Sequence, residues 1–129
     1  MRNLIIIFAV ALSAALSGCV IKDTSGIVVE KDHMIVYNAR FASHITMEYQ
    51  LKRTTESGFI QVQSWLQNAD SGDIRFQYRF EWLDKDGMLI EETSPIWHVA
   101  SIHGKDRKVL EGVSESKSAA DFRLVIRSL

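Results

Sequence analysis

Cysteine, histidine and clustered carboxylates are the side chains best able to do chemistry, and this chain spaces them sparingly. Cys19 is its one cysteine, so no internal disulfide can form. It closes the tetrapeptide Leu16-Ser17-Gly18-Cys19, at the end of an apolar stretch that begins after Arg2 and runs from Leu4 to Leu16. A basic start, an apolar middle and small residues at the junction read as a secretory signal. The cysteine makes that signal resemble a bacterial lipobox, cut between Gly18 and Cys19, with the Cys19 thiol carrying lipid. Ser17 and Gly18 are slim enough for a membrane peptidase and leave the thiol open to acyl transfer. The apolar segment is at the short end for a span of about 20 residues, so cleavage is expected rather than a retained anchor. An acylated Cys19 has no thiol left for metal or nucleophilic work, and several acyl chains hold far more firmly than one.

The other candidates give weaker signals. His33, His44, His98 and His103 lack the tight spacing to Cys, Asp or Glu that zinc sites show, so they read as solvated or hydrogen-bonded histidines. Asp84-Lys85-Asp86-Gly87 looks like a fragment of a calcium loop, but Thr93 stands where an EF-hand would place its glutamate. A looser site from Asp84, Asp86 and Glu91 is the weaker alternative to a plain turn. Glu91 and Glu92 are adjacent and on a strand would point to opposite faces, which does not suit a matched acid and base. No nucleophile elbow, phosphate-binding loop, dinucleotide fingerprint or His-Glu-x-x-His is present. The expectation is a protein that is not an enzyme and has no cofactor or metal.

Composition agrees with a plain single domain. Removing Arg2 with the signal leaves fourteen Lys and Arg against sixteen Asp and Glu, a formal balance of −2. Clusters such as Lys105-Asp106-Arg107-Lys108 are diluted by acid, so nucleic-acid binding has little support. The expected division is a signal over 1–18, a lipidated N-terminus and tether over 19–26, and one domain over 27–129. At ~3.3–3.6 Å per residue the tether from Val20 to Gly26 reaches roughly 25 Å, which keeps the domain beside its membrane.

The elements that must position any site read as strands. In Phe59–Gln67, one face carries Ile60, Val62, Ser64 and Leu66, and the other carries Phe59, Gln61, Gln63, Trp65 and Gln67. In Ile74–Trp82, Phe76, Tyr78, Phe80 and Trp82 share a face opposite Arg75, Gln77, Arg79 and Glu81. Strict alternation is the mark of half-buried antiparallel strands. Ile45–Thr54 alternates irregularly, with Ile45, Met47, Tyr49 and Leu51 expected on one side. Val28-Val29, Met34–Tyr37, Val99–Ile102, Lys108–Val113 and Phe122–Ile126 supply shorter runs. Glu56-Ser57-Gly58, Asn68–Asp73, Asp84–Gly87, Gly104 and Ser114–Ser118 punctuate them, and Pro95 marks an edge or bend. About seven or eight short strands without a helical period predict an all-β, immunoglobulin-like antiparallel β-sandwich.

Leu66-Gln67-Asn68, the run from Gln77 to Gly87, and the ending Ala120-Asp121-Phe122-Arg123-Leu124-Val125-Ile126-Arg127 resemble the YcfL-like family of bacterial periplasmic lipoproteins. The family is functionally uncharacterised, so the resemblance implies fold and location and carries over no catalytic residue. It also implies a sorting rule under which Val20, unlike Asp, sends the lipoprotein to the outer membrane of a Gram-negative cell, facing the periplasm.

What remains for function is surface. Trp65 lies among glutamines on the face opposite Ile60, Val62 and Leu66, and is either covered by the N-terminal strands or a rigid anchor for a partner. Trp97 either extends that idea or packs at the sandwich edge. Arg79 joins Trp65 and Trp97 as a candidate of the interaction surface, although its row with Arg75 and Glu81 reads as solvated. The expected role is a non-catalytic binding or accessory module for another envelope protein. The alternative is a small-molecule carrier or an enzyme with a site assembled from scattered residues.

Overall fold

The computed structural model describes residues 29–31, 33–90 and 96–129. Within them the chain forms eight strands and one helical turn: β1 Val29–Lys31, β2 Met34–Val36, α1 Ala39–Ala42, β3 Ile45–Thr54, β4 Ile60–Asn68, β5 Ile74–Leu83, β6 His98–Ile102, β7 Arg107–Val113 and β8 Asp121–Ser128. β4 and β5, whose alternation marks one buried face each, are interior strands of the two sheets. One sheet runs β1-β2-β8-β5-β6 and the other β3-β4-β7. The chain passes from β4 to β5 and again from β7 to β8, while β4 pairs with β7 and β5 with β8. That double crossing is the one that joins the B–E and C–F pairs of an immunoglobulin sandwich.

One strand pair departs from the expected antiparallel pattern. β2 lies parallel to β8, in the place beside it that a last strand would fill in the standard fold, with β1 outside it at the edge. This ties the start of the described domain to its end. Asn38 caps α1 by accepting from the Phe41 N–H at 3.1 Å, which satisfies an otherwise orphaned donor. So short a turn leaves no periodic signal in sequence.

The core is built from the inward faces. Phe76, Leu66, Leu110, Leu124 and Ile126 are fully buried in a larger cluster, and Ile60, Val62, Trp82, Ala119 and Phe122 form a smaller one beside it. Tyr78 and Phe80 pack against the larger cluster as partly buried members. Gly112 is forced by this packing, since a Cβ there would come within 2.5 Å of the Phe80 ring. Asp84 accepts from the N–H groups of Asp86 and Met88, both at 2.9 Å, and Gly87 has φ +79°. The segment is thus a turn closed by a left-handed glycine, as its residues predict. Met88–Ile90 contributes one isolated bridge, Leu83 to Leu89, rather than a strand.

The expected face of β3 is corrected by a bulge. Met47 pairs with Leu66, but the next pair is Tyr49 with Trp65, leaving Glu48 unmatched. An extra residue reverses every later side chain. Ile45 and Met47 therefore face the core, whereas Tyr49 and Leu51 turn outward and are about half exposed. Gln50 and Lys52 turn inward instead, opposite Ser64 and Val62.

Candidate functional site

Three sequence-predicted surface residues fall on two different faces. Trp65 points out of the three-stranded sheet, because its neighbours Val62, Ser64 and Leu66 are fully buried on the other side. The N-terminal strands do not cover it, since β1 and β2 belong to the other sheet. Its ring stacks on Tyr49 with centroids 5.3 Å apart and 21° between planes. Register places Val109 on its far side, then Leu51-Gln63-Glu111 and Arg53-Gln61-Val113 as successive rows. A depression of about 420 Å³ lies beside Trp65, lined by Leu51, Lys52, Arg53, Gln61 and Gln63. Tyr49, Leu51 and Val113 are 47%, 54% and 52% exposed, so this face carries apolar surface among polar groups. The indole Nε1 is buried and has no acceptor among the described residues, a costly state for a donor.

Arg79 and Trp97 are brought together, but on the outer face of the five-stranded sheet. The Arg79 guanidinium carbon lies 4.4 Å from the Trp97 ring centroid, and that of Arg127 lies 4.0 Å from it. Both distances suit cation–π attraction. Arg127 also donates to Gln77 at 2.7 Å. Glu81 binds Arg123 at 3.2 Å and approaches Arg79 at 3.9 Å. The row of Arg79 and Glu81 is therefore not the solvated face its sequence suggests: Glu81 is 7% exposed, and Val125, which pairs with Arg79 and points outward, is fully buried. Nor do Trp65 and Trp97 make one surface, since each lies outside a different sheet.

Three histidines each meet an aspartate, a pairing that sequence spacing conceals. His44 lies 2.7 Å from Asp70, and His103 lies 3.1 Å from Asp73, both at the end of the sandwich where the β4–β5 and β6–β7 loops meet. The fully buried Asn68 ties those loops by donating to the carbonyls of Gly72, Ile102 and His103. The hydrogen bond from His103, together with the Gly104 N–H, holds the Asp73 carboxyl below its ordinary value. The third pair, His33 with Asp121 at 3.4 Å, stands at the mouth of a wedge between the sheets. Lys52 reaches the same carboxylate at 3.6 Å and donates to the Ala120 carbonyl at 3.0 Å. Burial raises Asp121, but the Phe122 N–H, Lys52 and His33 outweigh it and hold the carboxyl low. No group of three or more His, Cys, Asp or Glu able to hold a metal occurs among the described residues.

Cys19, Gly18, Pro95, Glu91 and Glu92 lie outside the described residues. The signal division, the lipidation and the looser calcium alternative thus rest on sequence.

The family described as "Protein of unknown function (DUF1425)" matches residues 23–128. No curated protein matches the chain. The crystal structure of Campylobacter jejuni cj0090 is similar at a TM-score of 0.64 and 20% identity, over 77% of this chain and 100% of that one. A DUF1425 family member from Shewanella sp. pv-4 is similar at a TM-score of 0.59 and 22% identity, over 87% of this chain and 96% of that one. At such identities the likeness shows the β-sandwich alone, whereas the family match spans nearly the whole described domain, so the chain belongs to the DUF1425 family.

Proposed function

We propose that this protein is a periplasm-facing lipoprotein of the outer membrane, lipid-anchored through Cys19, whose β-sandwich is a non-catalytic docking module for another envelope protein. The observation that carries the docking reading is the outward Trp65–Tyr49 stack, flanked by half-exposed Leu51 and Val113 and a shallow depression. Rigid Trp and Tyr match the make-up of interface hot spots, and the polar groups around them that of an interface rim.

A face is favoured over strand addition at an edge. β3 and β7 are the two open edges of this sheet, and each points a lysine inward, Lys52 opposite Val62 and Lys108 opposite Leu66. Inward charges and bulges are how sheets discourage edge pairing.

The anchor is tested by metabolic labelling with radioactive palmitate and membrane fractionation. The wild type incorporates label and sediments with outer membranes, and Cys19→Ser does neither. Docking is tested with a photoreactive residue at position 63, beside Trp65 on the same face. A discrete adduct that disappears with Trp65→Ala supports the module, and its absence in a folded, anchored protein counts against it.

A further inference from the structure

We infer that the wedge between the two sheets beside His33 is a binding site for a neutral polyhydroxylated ligand, a saccharide unit. The site adjoins the depression beside Trp65 at Leu51 and Lys52, but centres on His33 and Asp121 and goes beyond the docking role.

Two local irregularities build it. The β3 bulge turns Gln50 and Lys52 into the space between the sheets, where apolar side chains would otherwise close the sandwich. His33 sits in the turn between Lys31 and Met34 with φ +60°. That region favours glycine or asparagine in tight hairpin turns, so a histidine there breaks a local rule. Such breaks concentrate at functional sites. Here the break has a visible consequence: the imidazole stacks on Phe122 at 5.6 Å and 19°, and its side chain remains 53% exposed. One face of the ring is backed by Phe122, and the half-exposed side chain lines the wedge. The space measures about 560 Å³, within the range of small-ligand sites.

The polar groups select the ligand class. Asp121 is bracketed by Lys52 and His33, so an anion meets a carboxylate and a cation meets an ammonium. A hydroxyl both donates and accepts, and can satisfy the two kinds of group together. Gln50 uses its amide N–H on the Ser64 hydroxyl at 3.0 Å, which leaves its carbonyl oxygen as an acceptor. Lys52 retains donor capacity beyond its bond to Ala120. A sugar's apolar C–H face fits the exposed part of the His33 ring, while its hydroxyls fit Asp121, Lys52 and Gln50.

The test is an NMR titration of the full chain in a detergent without a sugar headgroup. The probes are neutral tetrasaccharides of N-acetylglucosamine, glucose and mannose, with glutamate and ethylammonium as charged controls. The expected result is saturable shifts at His33, Lys52 and Asp121 with at least one tetrasaccharide, with Kd on the order of 1 mM. His33→Gly should keep or raise Tm, because glycine suits the turn, and weaken binding about tenfold or more. Asp121→Asn should weaken it as well, while Trp65→Ala leaves it unchanged, so the site fails or stands apart from docking. The inference is overturned if no tetrasaccharide perturbs these residues, if either charged control binds them more tightly, or if both His33→Gly and Asp121→Asn bind like wild type.

Discussion

The outer faces of the two sheets each carry a partly buried tryptophan, and their surroundings differ. Trp97 has guanidiniums from two strands against its ring, with the buried Glu81 carboxylate balancing neighbouring cations. Trp65 has one aromatic neighbour, itself 47% exposed, and an orphaned indole N–H. The first arrangement is held by charge within the chain, although the buried Arg79 Nε has no acceptor among the described residues and Val99 on the same face is 55% exposed. The second leaves apolar area and a donor unspent. The same residue type is therefore held between two cations on one sheet and against one half-exposed aromatic on the other, and strand partners decide which.

That contrast can be broken experimentally, beginning with its strongest element. Glu81→Ala should destabilise by about 3 kcal/mol, because it leaves Arg79 and Arg123 without their shared carboxylate in a largely buried setting. Urea denaturation with an unchanged m-value measures this. Trp97→Ala removes the ring from both guanidiniums. It should cost about 2 kcal/mol, lowering Tm by roughly 10 °C. Trp65→Ala should cost only about 1 kcal/mol, through the lost Tyr49 stack and area, with part offset by removal of the orphaned donor. A larger loss at Trp65 than at Trp97 would invert the comparison.

Acid offers a smaller effect that sharpens it. Asp73 and Asp121 are held below their ordinary values in the folded protein. A depressed carboxyl contributes stability that is present above its unfolded pKa near 4 and is lost as pH falls through the lower folded value. Tm should therefore fall between about pH 5 and pH 2, and Asp121→Asn should flatten part of that decline. Neither aspartate belongs to the Trp65 or Trp97 cluster, so Trp65→Ala and Trp97→Ala should show wild-type pH profiles displaced to lower Tm.

Where local pattern governs, the chain was readable. The alternation through Ile60–Leu66 and Phe76–Trp82 predicts the two central strands and the core face of each, and Asp84–Gly87 predicts its turn. β3 was misleading because Ile45, Met47, Tyr49 and Leu51 continue a plausible apolar row, with no glycine to announce the bulge at Glu48. The Arg79–Trp97–Arg127 group was hidden for another reason. Its members come from β5, a loop and β8, and only strand pairing makes them neighbours. His33, Lys52 and Asp121 were invisible as a group in the same way, since the parallel pairing of β2 with β8 joins the two ends of the domain.

Whether the Trp65 face is the docking face is decided by photo-crosslinking in living cells from one position on each face. Gln63 represents the Trp65 face, and Val99, 55% exposed on β6, represents the Trp97 face. A discrete adduct is expected from position 63, lost with Trp65→Ala, and none from position 99. An adduct from 99 alone, or from neither position in a folded and anchored protein, would contradict docking through the Trp65 face.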